Sequence, residues 1–256
     1  MEKNKKEAKT ICFLHRKGGV GKTASALAFS AACASKGLRV LMVDLDSQCT
    51  LTQNLLKKGP SKTVVSSFTD GTLPIVEIQE NLDLLPGSSN IVTVEAAMDN
   101  PDDRLILNAA LNKCKGRYDI IVLDCPPSLG YVTVNALIAA DRLFVPMQAA
   151  KESFDTLKDV VVACYQAATP TRIDGIFFTF YSPNEKVTQR FEAKTRASYG
   201  EAVLHSTIRK CNKIKESAEN YSDVLTFAPN SNAAKDYLAL TDEILGIVLP
   251  DNPKTE

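Results

Sequence analysis

The sequence predicts a single α/β domain in which a doubly wound, mostly parallel sheet carries helices on both faces. Short apolar runs recur along the chain without a regular polar alternation, which is typical of strands buried on both faces. Segments of helical character separate these runs, and strands that alternate with helices favour a parallel sheet. No repeat, linker or change in composition divides the 256 residues. A chain of this length can bury roughly 70–75% of its unfolded surface in one core.

The predicted elements follow one another in order. Strands are predicted at 10–15, 39–44, 82–85, 119–124, 142–147 and 175–180, where β-branched and aromatic residues concentrate. Helices are predicted at 22–36, 129–140, 152–168, 186–199 and 231–246. The first helix is rich in alanine and stops at Gly37, a common C-cap residue. We expect the domain to span residues 10–249, between a short basic arm at 1–9 and a C-terminal tail at 250–256.

Composition excludes several classes of protein. Lys and Arg total 30, as do Asp and Glu, so a nucleic-acid or membrane partner would have to meet a local patch. The seven cysteines form no CxxC pair and only two histidines are present, which disfavours a zinc site and a disulfide framework. No apolar stretch approaches the roughly 20 residues of a membrane span. These observations predict a cytoplasmic protein with free thiols.

The most informative segment is KGGVGKT at residues 17–23, between the first strand and the first helix. Gly18, Gly19 and Gly21 can adopt backbone angles that turn successive N–H groups toward phosphate oxygens, at the positive end of a helix. Lys22 would bind the β and γ phosphates, and the Thr23 hydroxyl would bind Mg²⁺. A strict GxxxxGK[ST] motif needs glycine at position 16, where this chain has arginine. The segment therefore predicts a phosphate-binding loop of an unusual type.

Acidic residues end two of the predicted strands. Asp124 closes the strand 119–124, and Asp44 and Asp46 lie two residues apart at the end of the strand 39–44. Ligands of doubly wound sheets bind at the carboxyl ends of strands. Alternation along a strand would point Asp44 and Asp46 to the same side. We expect the three carboxylates to support a metal ion or an attacking water.

With these motifs in view, the chain resembles the ParA/Soj/MinD family of deviant Walker-type ATPases. The resemblance rests on residues 17–23, on DLDSQ at 44–48 and on DCPPSLG at 124–130. Two further segments, FVPMQ at 144–148 and FAPNS at 227–231, fall in the family's order, so the similarity covers most of the chain. It is strongest with the small ParA proteins that partition plasmids or chromosomes.

The resemblance implies roles for individual residues. Lys17 would be the signature lysine that reaches the partner's phosphates in a dimer that encloses ATP. Asp46 would position the hydrolytic water, and Asp44 and Asp124 would lie in the outer shell of Mg²⁺. The implied metal-binding residues are Thr23, Asp44 and Asp124. The implied ATP-binding residues come from the phosphate loop and one later proline: Lys17, Gly18, Gly19, Val20, Gly21, Lys22, Thr23, Ala24 and Pro229.

The chain departs from the family pattern at several positions. Ala24 replaces a frequent hydroxyl residue, and Ser47 replaces a frequent proline, so we expect a looser water-binding loop and slower turnover. Cys125 invites comparison with the iron–sulfur protein of nitrogenase, a relative of this family. No second cysteine occupies a convincing partner position, which favours a small buried residue instead.

Basic residues concentrate between 185 and 216 and leave an excess of four positive charges there. Lys186, Arg190 and Lys194 are spaced to share one helical face, as a stripe that binds DNA phosphates without reading sequence would be. A solvated helix face is the alternative. ParA proteins bind DNA through basic residues near positions 209–213, so the resemblance adds the following residues to the predicted surface: Arg209, Lys210 and Lys213.

Three functions remain open at this point. The first is a partition ATPase that dimerises on ATP, binds DNA nonspecifically in the nucleoid and is stimulated by a ParB-like adaptor. The second is a MinD-like membrane regulator, which the acidic C-terminal region disfavours because membrane-surface helices are basic. The third is an ATP-dependent metabolic enzyme of the same fold, which the lack of a substrate domain disfavours. The position of the phosphate loop leaves no room for a helix-turn-helix domain before it, so we do not expect sequence-specific repression.

Overall fold

The computed structural model describes residues 7–250. Most of the predicted basic arm and of the predicted tail, residues 1–6 and 251–256, therefore lies outside the described part. The strands in the described part are β1 (Lys9–Phe13), β2 (Val40–Asp44), β3 (Val76–Gln79), β4 (Leu82–Leu85), β5 (Ile120–Asp124), β6 (Arg142–Gln148), β7 (Ile173–Tyr181) and β8 (Val203–Arg209).

These strands form one sheet in the order β3-β4-β2-β5-β1-β6-β7-β8. Every neighbouring pair is parallel except β3 and β4, so the predicted doubly wound, mostly parallel sheet is confirmed. β1 lies between β5 and β6, and all five residues of β2 and of β5 are buried. The loop that follows β1 is thereby held at the middle of the sheet's carboxyl edge.

Helices of the described part cover both faces of the sheet. They are α1 (Lys22–Ser35), α2 (Thr50–Gln53), α3 (Val65–Thr69), α4 (Ile91–Ala96), α5 (Ile106–Asn112), α6 (Tyr131–Ala139), α7 (Lys151–Asp155), α8 (Leu157–Gln166), α9 (Lys186–Tyr199), α10 (Lys213–Glu219), α11 (Val224–Phe227) and α12 (Asn232–Val248). Three 3₁₀ turns, Pro101–Leu105, Lys115–Arg117 and Gly200–Ala202, connect some of them.

The helix predicted at 152–168 is two helices, α7 and α8, that meet at Thr156. The Thr156 hydroxyl donates to the carbonyl oxygens of Glu152 at 2.8 Å and of Ser153 at 3.2 Å. A hydroxyl that bonds back to the preceding turn competes with the helical backbone and bends it. The break leaves α7 as a short helix directly after β6.

The core has one layer on each side of the sheet. On one side α6, α8 and their neighbours pack on the sheet through residues such as Leu137, Leu157 and Val160. On the other side α1 and α12 pack through Phe29, Tyr237 and similar residues. Burial of this much apolar surface is the main force that holds the helices against the sheet.

The edge strand β8 was not predicted, because its segment VLHSTIR has no continuous apolar run. Its exposed side is closed by α12 instead. The backbone amides of His205 and Ser206 each donate to Glu243 at 2.8 Å, and the amide of Arg209 donates to Asp236 at 3.0 Å. Side-chain carboxylates thus take the place of a further strand.

Candidate functional site: a phosphate loop with three carboxylates

The predicted phosphate loop lies between the end of β1 and the start of α1. Gly19 and Gly21 have φ angles of +72° and +88°, which strongly favour glycine. A Cβ atom added at Gly18 or Gly19 would meet no atom within 4 Å. The amides of residues 18–21 donate no hydrogen bond within the described part of the chain. Free amides around open space, at the N-terminus of α1, form a cradle that fits phosphate.

Lys22 begins α1 and is almost fully buried under this loop. Its Nζ lies 3.5 Å from the carbonyl oxygen of Lys17. Burial lowers the pKa of Lys22, and the carboxylates of Asp124 and Asp46 oppose that shift. A buried ammonium group without a close ion pair is costly, and a phosphate in the cradle would stabilise its charge.

Asp124 ends β5 directly across from Asp44 at the end of β2. It is fully buried, and neither of its carboxylate oxygens has a hydrogen-bond partner among the described residues. Burial, followed by the charge of Asp44, raises the pKa of Asp124 well above its usual range, although the nearby Thr23 hydroxyl opposes the rise. An unpartnered buried carboxylate is rare and fits a metal ion with its bound waters.

Asp44 is also buried, but its carboxylate is firmly held. Thr52 donates to Oδ2 of Asp44 from its hydroxyl at 2.6 Å and from its amide at 2.9 Å. Burial raises the pKa of Asp44 to about 6, and the Thr52 hydrogen bonds oppose the rise. A Cβ at Gly87 would lie 2.7 Å from the same oxygen, so only glycine fits there. Sequence reasoning missed Thr52 and Gly87, because neither belongs to a local motif.

Asp46 follows β2 and is partly exposed, with Oδ1 accepting the amide of Gln48 at 2.9 Å. Its own amide donates to Asp44 at 3.3 Å, which links the two predicted acids. Within residues 7–250 no three His, Cys, Asp or Glu side chains are close enough to hold a metal directly. Mg²⁺ usually keeps several waters and binds through few protein ligands and phosphates. The Thr23 hydroxyl and these carboxylates fit that mode.

Lys17 lies at the start of the loop, and its side chain is held by a residue outside the loop. Its Nζ forms a 3.0 Å salt bridge with Glu152 of α7, whose side chain is 72% exposed. The Lys17 amide donates to Nδ1 of His15 at 2.9 Å, and Nε2 of His15 lies 3.2 Å from the carbonyl of Ser153. The hydrogen bonds therefore assign a neutral His15 that donates from Nε2. This imidazole joins the start of the loop to α7.

The structure also gives the burial of three other residues predicted to bind ATP. Val20 is buried, Ala24 is partly buried in the first turn of α1, and Pro229 is exposed between α11 and α12. Cys125 is fully buried with its sulfur 3.2 Å from that of Cys12 on β1. The burial of Cys125 agrees with the prediction, but the expectation that no second cysteine lies beside it is wrong, because the pairing of β1 with β5 brings Cys12 next to it.

The basic residues predicted to bind DNA fall into two groups, one on α9 and one that runs from the end of β8 to the start of α10. Phe191 of α9 packs against Phe154, which belongs to the layer that contains α6 and α8. Residues Cys211 and Ile214, at and before α10, pack on the layer that contains α1 and α12. The first group is Lys186, Arg190 and Lys194, and the second is Arg209, Lys210 and Lys213.

Several of these basic residues already have partners. Arg209 contacts both oxygens of Asp236, with the shortest distance 2.6 Å, and this contact raises the pKa of Arg209. Lys213 contacts Glu216 at 2.5 Å, and Nζ of Lys194 lies 4.0 Å from the centre of the Phe154 ring. Arg209 therefore helps to hold α12 against the edge of β8. No helix of the described part is both long and apolar enough to cross a bilayer.

Comparisons with known proteins agree with this geometry. A family profile described as an AAA domain matches residues 8–171. The chromosome-partitioning ATPase Soj of Treponema pallidum is 33% identical over 251 residues, covering 93% of this chain and 97% of the relative.

Two solved structures share the fold. A cobyrinic acid a,c-diamide synthase from Mycobacterium smegmatis, with bound ATP analog and magnesium, is 26% identical with a TM-score of 0.79, over 93% of this chain and 95% of that one. A putative plasmid partition protein from Borrelia burgdorferi, bound to AMPPNP, is 24% identical with a TM-score of 0.78, over 96% of this chain and all of that one. Together with the loop that begins at Lys17 and the buried carboxylates beside it, the similarity to Soj over nearly its whole length shows that the chain belongs to the ParA/Soj family of ATPases.

Proposed function

We propose that this protein is a partition ATPase that binds ATP and Mg²⁺, dimerises around the nucleotide and moves a DNA cargo. The similarity to Soj over almost the full length supports the class. The phosphate cradle and the unpartnered carboxylate of Asp124 support the nucleotide and the metal. From this function we expect the protein to lie in the cytoplasm, associated with the nucleoid.

The position of Lys17 is the observation that carries the proposal. A lysine that serves its own subunit's phosphates would stay within the loop, whereas Nζ of Lys17 pairs with Glu152 of α7. The side chain of Lys17 is 21% exposed and its partner is largely in solvent. An exposed ion pair of this kind contributes little free energy, about 0–1 kcal/mol. A phosphate group presented by a second subunit can therefore replace Glu152 at low cost.

Within each subunit the residues divide the remaining work. The loop amides and Lys22 would bind the phosphates, and Thr23, Asp44 and Asp124 would hold Mg²⁺ directly or through water. When bound, Mg²⁺ neutralises charge that develops on the phosphates during hydrolysis. Asp46, the most accessible of the three acids, would orient the attacking water. Dimerisation would close the site from bulk solvent.

Two basic groups beside β8 would bind DNA through phosphate contacts alone. Lys186, Arg190, Lys210 and Lys213 are exposed, whereas Arg209 is engaged by Asp236. Each group is small, so a single subunit would bind DNA weakly. A dimer presents two copies of each group, and linked weak sites bind with a much higher effective affinity. A ParB-like adaptor would then stimulate hydrolysis and release.

DNA retention measured with ATP, with ADP and without nucleotide, over a range of salt concentrations, tests this proposal. We expect retention only with ATP, with an affinity that falls steeply as salt rises. Equal retention in all three nucleotide states would contradict it. Vesicles of anionic lipid serve as the parallel sample, and nucleotide-dependent binding to vesicles instead of DNA would favour the MinD-like alternative.

A metabolic role is the second candidate, because one fold neighbour of 26% identity is a cobyrinic acid a,c-diamide synthase. Such an enzyme hydrolyses ATP only while it converts a second substrate. Steady ATP hydrolysis that depends on DNA and not on a small-molecule acceptor would exclude it. Hydrolysis unaffected by DNA, together with a monomer in the presence of ATP, would favour it.

A further inference from the structure

Two side chains outside the predicted site donate hydrogen bonds to carbonyl oxygens of the phosphate loop. Nε2 of Gln148, at the end of β6, donates to the carbonyl oxygen of Gly19 at 3.2 Å. The hydroxyl of Thr179, near the end of β7, donates to the carbonyl oxygen of Val20 at 2.8 Å. These contacts join residues 129 and 159 positions apart in the chain. They come from the two strands next to β1 on one side of the sheet.

Because the peptide bond is planar, these contacts to carbonyl oxygens also fix the direction of the neighbouring N–H groups. In a trans peptide the carbonyl of one residue and the N–H of the next point in opposite directions. Fixing the Gly19 carbonyl toward Gln148 therefore directs the Val20 N–H the other way. Fixing the Val20 carbonyl toward Thr179 does the same for the Gly21 N–H. Neither of these amides has an acceptor in the described part of the chain.

A loop of this composition needs such support. Gly19 and Gly21 flank Val20 with positive φ angles, and glycine can leave such angles readily because it lacks a Cβ. Rotation of either peptide plane would turn an N–H away from the phosphate and a carbonyl oxygen toward it. Thr179 is almost fully buried, and its Cγ2 lies 3.5 Å from where a Cβ on Gly21 would be. Its methyl group therefore lies beside Gly21, and its hydroxyl group fixes the Val20 carbonyl.

We propose that Gln148 and Thr179 are positioning residues that direct the amides of Val20 and Gly21 toward the phosphates before nucleotide arrives. Preorganised donors bind more tightly because little ordering remains at the moment of binding. The proposal concerns nucleotide binding by one subunit. It does not depend on DNA, on the adaptor or on dimerisation, so its failure would leave the partition proposal standing.

Binding of Mg·ADP and of inorganic pyrophosphate, measured by calorimetric titration, tests the proposal. Thr179→Val keeps the shape of the side chain and removes the donor, and we expect affinity for both ligands to fall about tenfold, or 1.4 kcal/mol. Thr179→Ser restores the hydroxyl and should stay within about twofold of wild type. Gln148→Met, at a longer and more exposed bond, should lose about threefold. The two ligands should weaken by the same factor, because the amides contact phosphate and not the base.

Thr195→Val is the matched control. Thr195 is fully buried in α9 and its hydroxyl donates to the carbonyl of Phe191 at 2.7 Å, so this variant loses a similar bond away from the loop. It should bind both ligands as wild type does, even if its unfolding temperature falls. Wild-type affinity in Thr179→Val, equal losses in Thr179→Ser and Thr179→Val, or a loss confined to ADP would each overturn the proposal. Should Thr179→Val not fold, unchanged affinity in Gln148→Met would overturn it.

Discussion

The nucleotide edge and the basic surface of this protein differ in how their charges are held. At the nucleotide edge Lys22, Asp44 and Asp124 are buried at the ends of strands or the start of a helix, where the backbone fixes their positions. On the basic surface the charges lie on long, exposed side chains, and Arg209 and Lys213 already pair with carboxylates. A single buried charge can contribute a large electrostatic free energy, because little water screens it. Exposed charges each contribute little, and only their sum is large. The two regions should therefore respond to mutation on different scales.

The largest effect is expected from Lys22→Ala. Loss of the buried ammonium group removes the main positive charge of the cradle, so nucleotide affinity should fall at least about a hundredfold, or roughly 3 kcal/mol. Titration with ATP measures it, and the exposed Lys158→Ala is the control. If Lys22→Ala bound ATP with wild-type affinity, the claim that a buried charge at this edge has a larger effect than an exposed one would be wrong.

Asp46→Ala should separate hydrolysis from binding. Removing a residue that orients the attacking water should slow turnover by about a hundredfold or more, in the range typical of single catalytic groups. ATP affinity should remain, and so should the ATP-dependent dimer, as measured by light scattering. A variant that binds ATP yet stays monomeric would place Asp46 in assembly instead of catalysis.

Buried titratable groups at the nucleotide edge should also make the free energy of unfolding depend on pH, and His15 gives the clearest case. Burial lowers the pKa of His15 from 6.5 to about 4. The unfolded chain therefore takes up a proton first as the pH falls, and about 3 kcal/mol of stability is lost between pH 6.5 and 4. Asp44 has the opposite sign, because its raised pKa favours the folded state at low pH and stability is lost as the pH rises from 3.8 to about 6. Asp124, whose pKa is also raised, acts in the same direction as Asp44, so the two acids oppose the His15 effect in the wild type.

Replacing His15 should isolate its own contribution to the pH dependence of stability. His15→Gln removes the titrating group and keeps an acceptor and a donor, so its stability relative to wild type should rise by about 3 kcal/mol as the pH falls from 7 to 4. Urea unfolding at several pH values measures this difference. His205→Gln, at an exposed histidine, is the control. A difference that does not change with pH would show that His15 is not buried as a neutral group.

Smaller, additive effects are expected on the basic surface. Lys186→Ala and Lys210→Ala should each weaken DNA binding modestly and reduce the salt slope by about 1, with ATPase activity retained. Arg209→Ala should leave the slope unchanged, because Asp236 already holds the guanidinium group. A larger loss in Arg209→Ala than in Lys210→Ala would show that the ion pair opens to DNA.

The smallest effect is expected from Glu152→Gln, which removes the exposed partner of Lys17. Freeing the lysine should favour the ATP-dependent dimer by no more than about fivefold for each of the two lysines that a dimer contains, because an ion pair with a solvated partner contributes at most about 1 kcal/mol. Sedimentation at several protein concentrations measures it, with Asp155→Asn as the neighbouring control. Weaker dimerisation in Glu152→Gln would mean that the glutamate contacts the second subunit.

Prediction from sequence matched the structure where neighbouring residues determine the outcome. The strands β1, β2 and β5 and the helix α1 belong to short segments whose pattern is local, and they lie within two residues of their predicted bounds. The edge strand β8 was missed because its segment lacks the continuous apolar run of the inner strands. Thr52, Gly87 and Thr179 were missed because only the folded sheet brings them to the loop. The break at Thr156 depends on a hydroxyl bond that helical periodicity does not reveal.

The carboxylates that close β8 also limit how copies of this protein can assemble. A free sheet edge can recruit a strand from another chain, and this route leads to extended β-sheet aggregates. Glu243 and Asp236 already occupy amide donors along this edge. An incoming strand would have to displace two anions and peel away the C-terminal helix. At high local concentration, copies of this protein are therefore protected from pairing strand to strand through β8.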